Sequence, residues 1–216
     1  MTPNKEDYLK CIYEIGTDMQ KITNKEIATR MQVSPPAVTE MIKRMKSENL
    51  IFKDKENGYL LTDIGLKLVS ELYRKHRLIE VFLVHHLDYT SDQIHEEAEV
   101  LEHTVSDLFV KRLDKLLGFP QTCPHGGTIP AEGELLVEIN NLPLAAVQEA
   151  GTYLLTRVHD SFELLKYLEK HAIHIGDQLQ VKQFDNFSNT FTLVSKGEDL
   201  QVSIDIAKQL YVEKIN

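Results

Sequence analysis

Residues 23–62, TNKEIATRMQVSPPAVTEMIKRMKSENLIFKDKENGYLLT, decide the fold of the first third of the chain. Thr23 caps a helix over residues 24–31, and Glu26 completes a Thr-x-x-Glu capping box. Ile27, Ala28 and Met31 give that helix an inward face, and Gln32-Val33-Ser34 breaks it. Ser34 is a good N-cap, and Pro35 suits the first helical position, where its missing N–H is not needed. The next helix, residues 35–48, sets Val38, Ile42 and Met45 on one face. Two short helices joined by a tight turn form the helix-turn-helix pattern. Leu50-Ile51-Phe52 and Tyr59-Leu60-Leu61 are β-prone runs around Lys53-Asp54-Lys55-Glu56-Asn57-Gly58, which ends in an Asn-Gly turn signal. A hairpin there is the wing of a winged helix-turn-helix.

Working outward, residues 4–16 read as a preceding helix with Tyr8, Ile12 and Ile15 inward and Gly16 as its stop. Thr62 caps a long helix over 63–87, and Ser91 opens another over 92–117, stopped by Gly118 and Pro120. Within the latter, Ile94, Ala98, Leu101, Val105 and Leu108 recur as a coiled-coil-like seam, either core-facing or a dimer contact. Residues 118–134 are rich in Gly and Pro and read as a linker. Short strands follow at 153–155, 178–181, 190–194 and 200–204, with a helix at 161–172. The expected fold is multidomain, mainly α with a small β-barrel. Its parts are a winged helix-turn-helix (1–73), a helical segment with its linker (74–139) and a barrel (140–216).

The 216 residues carry a net charge of −9, but unevenly. Residues 1–75 hold 13 Lys+Arg against 11 Asp+Glu, whereas 76–216 hold 11 against 22 and all nine histidines. The first part tolerates polyanions, and the second suits cations. Two cysteines, Cys11 and Cys123, make no disulfide framework and fit a reducing cytoplasm. Neither a membrane-length apolar run nor a signal-peptide core is present.

The stretch HEEAEVLEH, residues 95–103, places His95, Glu99, Glu102 and His103 on one stripe of a helix. His76 and Glu80, four apart on the preceding helix, share a face, and antiparallel pairing across residues 87–91 would bring the two stripes together. Asp7 is a further carboxylate that would close the cluster. A His-Glu-x-x-His protease site is excluded because Glu99 stands where histidine is needed. With no nucleophile elbow, phosphate loop or dinucleotide fingerprint, the chain does not read as an enzyme.

The winged helix opening on Glu6-Asp7-Tyr8-Leu9, then Arg74-Lys75-His76-Arg77-Leu78, His95-Glu96-Glu97-Ala98-Glu99, Glu102-His103 and Cys123-Pro124-His125-Gly126 with Ile129-Pro130, resembles the diphtheria-toxin-repressor family of metal-dependent transcriptional repressors. The resemblance spans the whole chain and is strongest to the manganese-responsive streptococcal-type branch. It implies an SH3-like (FeoA-type) C-terminal domain, a homodimer, double-stranded operator DNA before metal-uptake genes, and no membrane association. Asp7, Glu99, Glu102 and His103 match the activating metal positions, and His76, Glu80 and His95 an ancillary site that Asp160 would complete. Cys123 and His125 are alternative ligands from the linker. The iron-responsive branch has methionine and cysteine at the Asp7 and Glu99 positions. Carboxylates there suit Mn²⁺, with Fe²⁺, Zn²⁺ or Cd²⁺ as substitutes. Lys10 stands where some manganese-type members place a glutamate, which favours two separated sites over a binuclear cluster.

With Val38, Ile42 and Met45 inward, the DNA-facing residues are Pro36, Ala37, Thr39, Glu40 and Lys43. Ser34 and Thr39 suit phosphates or bases, Pro36 and Ala37 thymine methyls, and Lys43, Lys46, Lys53 and Lys55 phosphates; Glu40 suits cytosine. Metal joining Asp7 to Glu99, Glu102 and His103 would clamp the reading head relative to the dimer axis. The competing readings are an iron-responsive regulator of the same family and a winged-helix regulator answering a non-metal effector.

Overall fold

The computed structural model describes residues 2–17, 21–90 and 93–215. Its contacts divide into two units, Met1–Lys75 with Pro130–Leu136, and His76–Ile129 with Val137–Asn216. In the first unit, α1 (Pro3–Thr17) buries Tyr8, Leu9, Cys11, Ile12 and Ile15. The Thr23 hydroxyl accepts the Glu26 N–H at the head of α2 (Asn24–Arg30). Ser34 accepts that of Ala37 at the head of α3 (Pro35–Ser47). Each cap satisfies an N–H that the first turn would otherwise leave open.

β1 (Ile51–Asp54) and β2 (Gly58–Leu61) form the antiparallel wing, with Ile51 opposite Leu61 and Asp54 opposite Gly58. Ile22 lies against this hairpin, its N–H donating to Asn57 O at 2.9 Å and its carbonyl accepting Tyr59 N–H at 3.0 Å. A Cβ on Gly58 would lie 2.0 Å from Ile22 O, so the pairing demands glycine. The apolar faces of α1 to α3, the wing and Val69 and Tyr73 of α4 (Asp63–Leu87) share one core.

In the second unit, Leu78, Ile79, Val81 and Leu83 of α4 pack with Ile94 and Ala98 of α5 (Ile94–Glu102) and Val110 and Leu113 of α6 (Asp107–Leu116). Two helices thus stand where one was expected over 92–117. The Thr104 hydroxyl donates to Leu101 O, and Ser106 caps a new helix by accepting Phe109 N–H. Both are side-chain competitors for backbone bonds. The seam is broken with the helix: Ile94 and Ala98 are fully buried, whereas Leu108 is 60% exposed. The expected opener, Ser91, lies outside the described residues.

The C-terminal segment runs β3 (Gly151–Val158), α7 (Phe162–Lys170), β4 (Gln178–Asp185), β5 (Thr190–Ser195), β6 (Glu198–Ser203), α8 (Ile204–Ala207) and β7 (Leu210–Lys214). It is an SH3-like antiparallel sheet in the order β6-β5-β4-β3-β7 around a core of Leu155, Leu179, Phe191, Leu193 and Val202. Register shifts after Leu155 and Val181 let it curl. The strand expected to reach Ile204 stops at Ser203, which caps α8 by accepting Ile206 N–H. β7 was not anticipated, although Leu210 and Val212 alternate inward. The expected open linker is partly a closed loop: Ile129 N–H bonds Gln121 O and Cys123 N–H bonds Gly127 O, at 2.8 and 2.9 Å. No helix among the described residues is long and apolar enough to cross a membrane.

Candidate metal centre and DNA-reading face

The second unit gathers ionisable side chains from four places in the sequence. α4 supplies His76 and Glu80, α5 supplies His95, the 121–129 loop supplies Cys123 and His125, and Asp160 follows the end of β3. One ligand-type atom from each of His76, Glu80, His95 and Asp160 lies within 4.8 Å of the others. His76 Nε2 is 3.2 Å from both Glu80 Oε1 and Asp160 Oδ2, and His95 Nδ1 is 2.8 Å from Asp160 Oδ1. His125 Nδ1 stands 3.1 Å from Glu80 Oε1 and 3.4 Å from Asp160 Oδ1. Glu80, Cys123 and His125 form a second such group. The loop residues therefore stand beside the helical ones rather than replacing them.

His76 also faces the other way. Its Nδ1 is 2.6 Å from Glu102 Oε2, a contact that fixes which ring nitrogen turns toward Glu80 and Asp160. Glu102 in turn lies 3.5 Å from His103, and His76, Glu99 and Glu102 form a further group. His103 is the C-cap of α5, so the stripe read across 95–103 ends where the helix does. Asp7 sits half-buried on α1 of the first unit. There, the Lys10 ammonium lies 5.5 Å from the Tyr73 ring centre, an aromatic contact rather than a carboxylate's role.

Electrostatics bind this set together. Burial works to raise the Glu80 carboxyl, as does the Asp160 charge, but His125 and His76 bring it down to about 2. Burial likewise opposes ionisation of Asp160, yet His125, His76 and His95 hold it well below the usual carboxylate range. Burial works to lower His125, and the carboxylates of Glu80 and Asp160 outweigh it, holding the imidazole well above its ordinary value. Burial and the Glu80 charge push the Cys123 thiol up, so it is a thiol unless a cation claims it. Both Glu80 oxygens, Asp160 Oδ1 and His95 Nδ1 are buried without a well-aligned hydrogen bond. Buried polar atoms are ordinarily satisfied. Donor atoms that approach this closely without pairing fit a shared divalent cation, and carboxylates with imidazoles suit Mn²⁺-like metals.

The loop that presents His125 is fastened to the sheet. His125 O accepts Val158 N–H at 3.0 Å, and a Cβ on Gly126 (φ +78°) would lie 2.0 Å from Thr156 O. Arg77 reaches Thr128 O and, at 2.6 Å, Glu138, whose other oxygen accepts Thr128 N–H. Arg157 bonds Asn140 O and stacks 3.4 Å from the Tyr211 ring centre. These contacts hold Asp160 and His125 at one place, and no local sequence signal announces them.

In the first unit, α3 exposes Pro36, Ala37, Thr39, Glu40, Lys43 and Lys46, with Ser34 exposed at its cap; Val38, Ile42 and Met45 are buried. Lys53 and Lys55 are exposed on the wing. Thr39 donates its hydroxyl to Pro35 O and accepts from Asn24 Nδ2, both at 3.0 Å, which leaves its methyl and one lone pair for a ligand. Glu40 is paired with Arg44 one turn on, which offsets its repulsion of a phosphate backbone. Arg44, exposed on the same helix, is a cation that the sequence reading passed over; its i,i+4 spacing from Glu40 was the available signal.

Comparison with known proteins joins the two halves. Residues 1–59 match the iron dependent repressor N-terminal DNA binding domain, residues 62–131 the iron dependent repressor metal binding and dimerisation domain, and residues 142–214 the FeoA domain. ScaR with bound Zn²⁺ is 64% identical over 98% of this chain and 99% of its own, with a TM-score of 0.94. The chain belongs to the iron-dependent repressor family. Its members are metal-dependent transcriptional repressors, not enzymes. The manganese regulator SloR is 59% identical over the full length of both chains, with a TM-score of 0.91. The diphtheria toxin repressor of Corynebacterium diphtheriae is 27% identical over 97% of this chain and 96% of its own. ScaR is also described with Cd²⁺ and, in its apo form, as a manganese-activated repressor.

Proposed function

We propose that this chain is a cytoplasmic, homodimeric, Mn²⁺-responsive repressor that binds double-stranded operator DNA before metal-uptake genes. The buried cluster of Glu80, Asp160, His76, His95 and His125, on a chain that also carries a winged helix, is the observation that carries the reading. Two cation sites are assigned. Asp7, Glu99, Glu102 and His103 make the activating one; His76, Glu80, His95 and Asp160, with Cys123 and His125, make the ancillary one. A bound divalent cation supplies positive charge that lets these carboxylates lie together without repulsion. Its hard oxygen ligands favour Mn²⁺, while Fe²⁺, Zn²⁺ and Cd²⁺ are able to substitute. Glu102, hydrogen-bonded to His76, ties the two sets. Ser34, Pro36, Ala37, Thr39, Glu40, Lys43 and Lys46 meet the major groove, and Lys53 and Lys55 the backbone. Val100, Leu108, Phe109 and Leu116, exposed on α5 and α6, offer an apolar surface for the dimer.

The test is capture of fragmented source-genome DNA by metal-stripped protein with and without Mn²⁺, at one moderate salt concentration. Discrete sites enriched only with Mn²⁺ are expected. Equal enrichment in both arms would discard metal as the signal.

A further inference from the structure

The wing and the segment before α2 line a basic recess that sets Lys21, which none of the proposed DNA contacts includes, beside the wing lysines Lys53 and Lys55. Its volume is about 460 Å³, and its walls include Lys21, Thr23, Asn24, Lys53, Lys55 and Tyr59. Lys21 donates to Lys55 O at 3.2 Å, and Lys53 lies over the Tyr59 ring at 5.9 Å. None of these three ammonium groups is in an ion pair among the described residues. Asp54 is the acidic residue of the wall, and it is already occupied. Its Oδ1 accepts from the N–H groups of Glu56 and Asn57 and from the Asn57 side chain. Those bonds, Asn57's first, hold its carboxyl below the usual range. Asp54 thus stays ionised with its Oδ1 engaged in the turn, and three ammonium groups against this one carboxylate leave the recess net cationic.

Two features make the recess rigid and place it. The two backbone bonds of Ile22 to the wing turn carry Lys21 as part of the sheet, and Gly58 is the residue that permits that approach. Asn24, also in the wall, donates to Thr39 of α3. A duplex lying on the exposed face of α3 therefore runs past the mouth of the recess, and what a duplex presents beside its grooves is phosphate.

We propose that this recess seats one backbone phosphodiester of the operator, with Lys21 as its principal charge and Lys53 and Lys55 flanking it. The inference rests on the DNA-reading function proposed above and adds Lys21, which no motif in the sequence marks. Each phosphate neutralised releases condensed counterions and adds about 0.9 to the salt slope of binding.

The experiment uses the full-length, Mn²⁺-loaded protein and a duplex recovered by the genomic capture, with affinity measured across a range of salt. Lys21→Met is expected to lower the slope of log affinity against log salt by about one unit. It should weaken operator and unrelated duplex by the same factor and leave Mn²⁺ stoichiometry unchanged, and Lys21→Arg should restore the slope. An unchanged slope in Lys21→Met, with wild type binding normally, overturns the seat and spares the proposed function. Failure of the wild type to bind any duplex overturns both. Inorganic phosphate is the second arm. If it raises the melting temperature of wild type but not of Lys21→Met while the slope stays unchanged, the recess takes free anion, and the operator assignment is overturned.

Discussion

In the DNA-reading head the fully buried side chains include Leu9, Ile12, Ile15, Ile27, Val38, Met45 and Val69. Its helix starts are closed by Thr23 and Ser34, residues within three positions of the groups they satisfy. In the second unit the helical core is apolar too, but Glu80, His76, Glu102 and His125 are buried alongside it, each 3% exposed or less. The head is satisfied by its own chain. The cluster is not: like charges at Glu80 and Asp160 are held together by imidazoles, and several of its atoms lack aligned partners. Burying charge is costly unless it is paired. A site left in this condition gains most from a cation, and a region that gains from a cation responds to its concentration.

The largest expected effect separates the two regions by stability alone. Met45→Ala removes a fully buried side chain from the head and should cost about 2–5 kcal/mol in chemical denaturation. Mn²⁺ stoichiometry of the folded variant should not change. Loss of metal binding in that variant would mean that the ancillary cluster depends on packing within the head.

Gly126→Ala attacks the other side. The added Cβ collides with Thr156 O and misplaces His125, so cation affinity of the ancillary set should fall roughly 10–100-fold, as when support behind a metal ligand is lost. Calorimetric titration with Mn²⁺ reads this directly, and affinity equal to wild type would show that the loop-to-sheet fastening does not position the ligands.

The smaller effect is one of pH. The raised His125 value stabilises the metal-free fold fully below its ordinary range, and that contribution is lost as pH rises through the raised value. The lowered Glu80 and Asp160 values stabilise above the ordinary carboxylate range, and that contribution is lost as pH falls through the lowered values, about 2 for Glu80. Cation binding needs His125 neutral, so affinity at the ancillary set should climb, with proton release, as pH rises through the raised His125 value. Titrations in buffers of different ionisation enthalpy check it; a flat profile would remove His125 from the ligands.

The head was legible because its signals are local: the caps at Thr23 and Ser34, the proline start and the Asn-Gly turn all act within a few residues. The pairing of the His76–Glu80 and His95–Glu99 faces was also readable, since both follow helical spacing. What escaped was decided by competition or distance. Ser106 won its N-cap against a continuous helix, and nothing near Gly126 declares that Thr156, thirty residues on, would forbid a side chain. Nor does any local signal mark Lys21, whose place follows from the bonds of its neighbour Ile22 to the wing.

The most direct measurement of the link between the two regions is a Mn²⁺ titration of duplex binding, followed by fluorescence anisotropy on a captured operator, for wild type and Glu102→Ala. Glu102 is buried between His76 and His103, so it belongs to the proposed activating set and touches the ancillary one through His76. Wild-type affinity should rise about 5–150-fold on saturation with Mn²⁺, a coupling of roughly 1–3 kcal/mol, and the variant should stay flat. A Glu102→Ala protein that keeps the full wild-type response, or a wild type indifferent to Mn²⁺, would contradict the claim that this buried cluster controls the reading head.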